Sequence, residues 1–532
     1  MPEKLNTKAA GLVGLAVLCS RILGLARDQI SAALFGGGAL MDAFVIAFRI
    51  PNLLRDLFAE GALSTAFTTT FSKTFATDGN LAAWRLANKV CTLAVIFLSA
   101  ITVLGVIFAP QLVWLLAPGF DPAKAELTIT LTRVMYPFIL LVSVAALVMG
   151  ILNARNVFGV PAMASSFFNL GSIIVGVGLG WWLDPAFGSR ALLGLAIGTL
   201  VGGGLQLAVQ LPALRGAGYV FRPDFQWRDA GVRATLRLMG PSVIAASTVQ
   251  VNVLVNSVFA SQLGDGPTYW LSIAFRLMQL PLGIFGVALG TVALPLLARM
   301  AATGNLTAFR SELARGMRLA LLLTIPATIG LIMLAEPIMS VLYQHGKFGV
   351  KETIESAGDL RFYALGLSSY AALKVLVNAF YAIDRRKTPM LVSLLAVGLN
   401  LLLNWIFTFQ LQWGHRGLAF STACIAVSNF LILYLLMRRH LRLLETRVLV
   451  RLLSKIAVAS LALMAVCWAG QHFLLSDWQA QAFVPKLAWL LAVIAAGALA
   501  FLGCTLLLRV DELEQLRAVV SRKLRRSTPA TR

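Results

Sequence analysis

Apolar runs of about 20 residues recur along this chain, and nothing else limits its fold so severely. Inside a bilayer no water meets backbone N–H and C=O groups, so each run must close its own hydrogen bonds as a helix. Fourteen runs are expected, at residues 10–34, 41–67, 89–110, 132–153, 159–183, 191–213, 239–262, 268–297, 317–343, 360–382, 388–409, 416–437, 453–473 and 485–508. Hydrophobic residues make up 58% of the 532, charged residues only 13%, and mean hydropathy is +0.81. The sequence thus predicts an all-α, polytopic membrane protein with 14 transmembrane helices.

A net charge of +22 raises nucleic acid as a partner, but its placement argues for a membrane. With the amino terminus inside, cytoplasmic segments hold most of the Lys and Arg, which puts both termini in the cytoplasm. The densest groups are Arg215, Arg222, Arg228, Arg233 and Arg237; Arg385, Arg386 and Lys387; and Arg438, Arg439, Arg442, Arg447 and Arg451. They read as anchors beside acidic headgroups. Met1–Lys8 precedes an apolar run with no small-residue cleavage site, which predicts an uncleaved first helix. The five cysteines lie in apolar segments without paired spacing, and the four histidines have no metal-ligand spacing, so neither disulfide nor metal is implied.

The chain also repeats itself. Ile46-Ala47-Phe48-Arg49 recurs 227 positions on as Ile273-Ala274-Phe275-Arg276, and Gly79-Asn80-Leu81 recurs as Gly304-Asn305-Leu306. Pro110 pairs with Pro337, Gly119 with Gly346, Tyr136 with Tyr363, and Pro161 with Pro389. Two parallel six-helix repeats are expected, helices 1–6 and 7–12, related by an axis along the membrane normal with a site between them. The expected divisions are 1–215, an amphipathic cytoplasmic linker 216–238, 239–440, helices 13 and 14 within 441–510, and a basic cytoplasmic tail 511–532.

Five arginines interrupt the apolar runs: Arg21, Arg27, Arg49, Arg55 and Arg276. Each charge at mid-bilayer costs about 2.5–3.5 kcal/mol, so a membrane protein keeps them for a wet cavity or a negative ligand. Asp28, at i+7 from Arg21, with Asp42, Asp56 and Glu60, supplies carboxylates for an internal lattice, but the cations outnumber them, and Lys374 adds another. The excess favours an anion, and guanidinium forks match phosphate or diphosphate oxygens bidentately. Pro51, Pro281 and the glycines of helix 8 permit the bending that alternating access needs.

Ser20-Arg21-Ile22-Leu23-Gly24-Leu25-Ala26-Arg27-Asp28, the run from Asp42 to Arg55, Phe58-Ala59-Glu60-Gly61-Ala62 and the run from Arg276 to Thr291 resemble the MurJ (MviN) family of lipid II flippases. The resemblance spans the chain and places it in the multidrug/oligosaccharidyl-lipid/polysaccharide exporter superfamily. It implies movement of an undecaprenyl-diphosphate-linked peptidoglycan precursor from the inner to the outer leaflet of the bacterial cytoplasmic membrane. Arg21, Arg27, Arg55 and Arg276 are then the diphosphate ligands, with Ser20, Arg49 and Lys374 as secondary candidates. Asp28, Asp42 and Glu60 become gate or counter-charge residues, and helices 13 and 14 a groove for the polyprenyl tail.

Four positions depart from the family pattern. Phe275 stands where relatives carry a carboxylate, and Asn256, Asn400 and Asn404 stand where some relatives bind sodium through acids, leaving at most a weak sodium site. Coupling to membrane potential or protons is the expected alternative, with no cofactor. Lipid II, membrane lipids and cell-wall synthesis proteins are the expected partners, and nucleic acid is not. A flippase for another polyprenyl-diphosphate-linked glycan is the nearest alternative. A membrane enzyme would need carboxylate pairs at the membrane surface, and none is found.

Overall fold

The computed structural model describes residues 7–56, 63–441, 444–510 and 512; Glu60, Arg442 and the basic tail after residue 512 lie outside them. Among the described residues every regular element is a helix. By packing, the chain forms two compact units: Met1–Tyr269 with His345–Gly349, and Trp270–Gln344 with Val350–Arg532.

The first unit contains α1 (Thr7–Phe35), α2 (Ala39–Leu54), α3 (Ser64–Ile107), α4 (Ala109–Leu116), α5 (Pro122–Met135), α6 (Phe138–Ala154), α7 (Gly159–Leu183), α8 (Ala191–Ala208), α9 (Leu211–Gly216) and α10 (Ala230–Ser261). After α11 (Pro267–Pro281) come α12 (Ala288–Ala302), α13 (Leu306–Met333), α14 (Ala335–Tyr343), α15 (Val350–Ala382), α16 (Lys387–Trp405), α17 (Gly414–Leu441), α18 (Thr446–Phe473) and α19 (Phe483–Leu507).

Ten helical segments among the described residues are long and apolar enough to cross a bilayer, against the fourteen expected. The runs at 10–34, 41–67, 239–262 and 268–297 fall on α1, α2, α10 and α11–α12 and lie outside those ten. Three of these segments carry the five arginines, and α10 carries Ser257, which accepts from Arg49, and Gln250, which donates to Asp56, the partner of Arg55. At 16, 15 and 15 residues, α2, α11 and α12 are too short to cross a bilayer as single regular helices.

The repeat is visible in local structure. Gly79 (φ 79°) breaks α3, and Gly304 (φ 68°) separates α12 from α13. Both adopt the left-handed conformation that glycine tolerates without Cβ strain. Asn305 then caps α13 through the Ala308 N–H at 3.0 Å. The break after α3 is followed by Pro110 in the first turn of α4, and the break after α13 by Pro337 in the first turn of α14. Pro161 and Pro389 are each the third residue of their helix. One pair diverges: Pro137, which lacks an N–H, separates α5 from α6, whereas Ala364 lets α15 run on past Tyr363. π-Helical turns occur at Arg55–Asp56 and, 227 positions on from Arg55, at Leu282–Val287. Such turns interrupt the regular ladder and recur at functional sites.

Small residues fix the closest helix contact in the first unit. Gly194, Gly198 and Gly202 of α8 follow one another at i+4, and a Cβ on any of them would meet backbone of α7: Gly180, Gly176 and Phe168 respectively. This is the small-residue mode of membrane helix association. Gly198→Val is expected to destabilise the protein by about 1–3 kcal/mol through overpacking, read as a lower melting temperature in detergent. Gly204→Val, with open space around its position, serves as the control.

Helices α18 and α19 pack on each other and on α13 through Ile456, Leu463, Val493, Phe501 and Leu322. Arg318 of α13 adds ion pairs to Glu445 (2.6 Å) and Glu512 (2.5 Å). In the first unit, Lys89 of α3 reaches Asp229, the N-cap of α10, at 2.7 Å, and this bond holds the Asp229 carboxyl below its ordinary pKa.

Candidate anion-binding site

The sites in the two units are built separately. In the first unit, α1 presents Arg27 with Nε and Nη2 at 3.4 and 3.1 Å from one oxygen of Asp28. Its guanidinium lies 5.4 Å from the Phe168 ring of α7. The adjacent Asn169 donates to the Ser20 carbonyl at 3.0 Å, so α7 fixes α1 at the height of the site. Ser20 therefore contributes its backbone to this contact. Of the five N–H donors of a guanidinium, the pair with Asp28 uses two.

Arg55 repeats the arrangement at the end of α2, with Nε and Nη2 at 3.2 and 2.8 Å from one oxygen of Asp56. The other Asp56 oxygen accepts from Gln250 of α10 at 3.4 Å. Arg49 donates to Ser257 of α10 at 2.5 Å. Arg21 is exposed and has no ion-pair partner among the described residues. The pairing of Asp28 with Arg21, expected from i+7 spacing, gives way to the pair with Arg27. A sequence neighbour reaches the carboxylate across far less chain than a residue two turns away.

Asp42 is fully buried and engages a lysine instead of an arginine. Its carboxylate accepts from Lys124 of α5 at 2.9 Å and from the backbone N–H groups of Gly266 and Tyr269 at 2.7 and 2.8 Å. Lys124 also meets Asp265 at 2.9 Å and lies 4.1 Å from the Phe120 ring. Sequence reading did not single out Lys124, which lies between the expected runs at 89–110 and 132–153. The signal was Asp121-Pro122: Asp121 caps α5 and so places Lys124 inside the first turn.

In the second unit, Arg276 is exposed on α11 and Lys374 is exposed on α15. Near Lys374, Asn378 donates to the Gly290 carbonyl of α12 at 2.8 Å. The buried Asn404 donates to the Asn400 oxygen at 3.1 Å, and Asn400 donates to Ser421 at 3.4 Å. Asn256 lies in the first unit, on α10. No group of three or more His, Cys, Asp or Glu among the described residues could hold a metal ion.

A charged cluster that sequence reading did not single out joins α15 to α17. Fully buried Asp359 meets His415 at 2.6 Å, while Glu355, one turn earlier, meets both His415 (3.3 Å) and Arg416 (2.9 Å). The i,i+4 carboxylates facing a His-Arg pair at a helix start were its signal.

Residues 31–489 match the family model described as lipid II flippase MurJ. The chain belongs to the MurJ family of lipid II flippases. A probable lipid II flippase MurJ of Vibrio cholerae is 34% identical over 525 residues, covering 96% of this chain and 97% of that one. The lipid II flippase MurJ of Burkholderia cenocepacia is 34% identical over 429 residues, covering 80% and 82%. A solved lipid II flippase MurJ in an inward closed conformation superposes with a TM-score of 0.76 at 26% identity, covering 94% of this chain and 99% of that one. An inward-facing multidrug transporter of the MATE family gives a TM-score of 0.67 at 15% identity over 80% and 94%, a likeness of fold alone. MurJ membership and the ten apolar helices make this a multi-pass protein of the bacterial inner membrane.

Proposed function

We propose that the protein moves lipid II from the cytoplasmic to the outer leaflet of the inner membrane. The match of residues 31–489 to the MurJ family carries this reading. Arg21, Arg27, Arg55 and Arg276 are the proposed diphosphate ligands, with Ser20, Arg49 and Lys374 as secondary ones. Support comes from Arg27 and Arg55, each positioned by a neighbouring carboxylate, and from the exposed Arg21. Arg27, clamped by Asp28 and set against Phe168, is oriented before any ligand arrives, which lowers the entropic cost of binding. Asp28 and Asp56 release their guanidiniums to the diphosphate, and Asp42 with Lys124 forms a counter-charged lock.

Residues 1–215 and 239–440 act as the two six-helix repeats, joined by the linker 216–238, and the thirteenth and fourteenth expected helices, which fall on α18 and α19, accommodate the polyprenyl tail. The cytoplasmic placement of both termini follows from the positive-inside distribution. Flipping makes and breaks no covalent bond, so the protein is a transporter without an enzymatic step and needs no cofactor. Membrane potential or protons drive it in preference to sodium, because Asn400 and Asn404 offer amides without a carboxylate and bond to each other. Cell-wall synthesis proteins that consume the flipped precursor are the proposed partners.

Complementation tests the function. The chain is expected to restore growth to a bacterium depleted of its own lipid II flippase. Expression at the membrane without rescue, together with flipping of a different polyprenyl-diphosphate glycan in proteoliposomes, would assign another substrate.

A further inference from the structure

A slot of about 550 Å³ lies between α3 and the start of α10, wholly within the first unit. Val90, Ala94 and Phe97 of α3 form one wall, Leu236 and Met239 of α10 the other, and Trp227 of the preceding linker also lines it. Its lining is apolar except for Thr235, whose hydroxyl donates to the Gly231 carbonyl at 2.9 Å. Phe97, Trp227 and Leu236 are each about half exposed. α3 is one of the helices apolar enough to cross a bilayer, so the slot opens where lipid chains are its neighbours.

The linker end of the slot is cationic. The Arg228 guanidinium stacks 4.7 Å from the Trp227 ring, and Arg233 donates through Nε and Nη2 to the Arg228 carbonyl at 2.9 and 2.7 Å. Asp229, the nearest carboxylate in sequence, pairs with Lys89 at 2.7 Å. Among the described residues neither Arg228 nor Arg233 has an ion-pair partner. Two uncompensated guanidiniums beside an interfacial tryptophan, above an apolar slot, match an anionic phosphodiester carrying an acyl chain.

We propose that this slot is a binding site for one anionic phospholipid of the inner leaflet, its acyl chain between α3 and α10 and its phosphate on Arg228 and Arg233. Occupied, it fastens the linker to the first unit by lipid as well as by the Lys89–Asp229 pair. It rests on the reading of the linker as cytoplasmic and is distinct from the diphosphate arginines.

The full-length protein in detergent is titrated with brominated phosphatidylglycerol or brominated phosphatidylcholine while tryptophan emission is recorded. Subtracting the Trp227→Phe variant isolates the Trp227 signal. Phosphatidylglycerol is expected to quench that signal at lower mole fraction, and Arg228→Gln and Arg233→Gln are each expected to reduce the preference about fivefold. Both arginines are exposed, so these variants are expected to fold. Equal quenching by the two lipids, or an unchanged preference in the double variant, overturns the site. Flipping measured after the same preparations are reconstituted into proteoliposomes keeps the readings apart: quenching without flipping counts against the flippase assignment, and flipping without selective quenching counts against the lipid site.

Discussion

Arg27→Ala is expected to abolish rescue of a flippase-depleted bacterium and to slow lipid II flipping in proteoliposomes by about 100-fold. Losing two charge-assisted hydrogen bonds to the diphosphate, at about 1.5 kcal/mol each, accounts for that factor. The substitution also leaves the Asp28 carboxylate in the site without the guanidinium that meets it at 3.1 Å, so an anion would be repelled. Arg27→Ala combined with Asp28→Asn should therefore regain part of the rate, since the repulsion is gone while the two hydrogen bonds are not restored. Arg27→Lys should regain only part of the rate, because an ammonium is a point charge without the fork.

Arg55→Ala should behave like Arg27→Ala, since Arg55 has the same geometry with Asp56. Arg21→Ala should slow flipping without lowering expression, because no carboxylate loses a partner. Arg276→Ala tests the second unit's contribution in the same assay. If all four alanine variants flip at the wild-type rate, the arginines are structural and the diphosphate assignment fails.

The largest loss of stability is expected from Asp42→Ala, at about 3 kcal/mol. Asp42 is fully buried, Lys124 is nearly so, and the change removes the acceptor of one ammonium and two backbone N–H groups at once. A buried cation without its anion is costlier than no charge at all. Lys124 retains Asp265, but that carboxylate is 63% exposed and more weakly held. Asp42→Asn should fall between alanine and wild type, and Asp42→Asn with Lys124→Met should recover much of the loss. Melting of the detergent-solubilised protein checks the series. A double variant no more stable than Asp42→Ala would show that the backbone bonds to residues 266 and 269, not the charge pair, carry the stability.

The charged constellation was legible in sequence only as an inventory. Arg27 and Arg55 could be chosen because guanidiniums are conspicuous in apolar runs, yet their partners were assigned by helical phase, which offered Asp28 to Arg21. A rotamer of an adjacent residue settled that pairing, and rotamers are not periodic. Lys124 escaped notice because its partner Asp42 lies 82 positions away. The Asp359–His415 pair spans 56 positions and is equally invisible to a window of a few turns.

What the sequence determined alone was the helical class, the repeat and the family. Hydropathy forces helices because the bilayer leaves no alternative for the backbone, and prolines and glycines 227 or so positions apart break those helices at matching points. The tertiary structure alone decided which helices pack and which charges pair. It drew the compact units at Tyr269/Trp270, although the repeat begins anew near residue 239, and so left α10 with the first unit. The reason is physical: backbone satisfaction and transfer into lipid depend on local sequence, whereas packing and ion pairing depend on side chains brought within a few ångströms from distant parts of the chain.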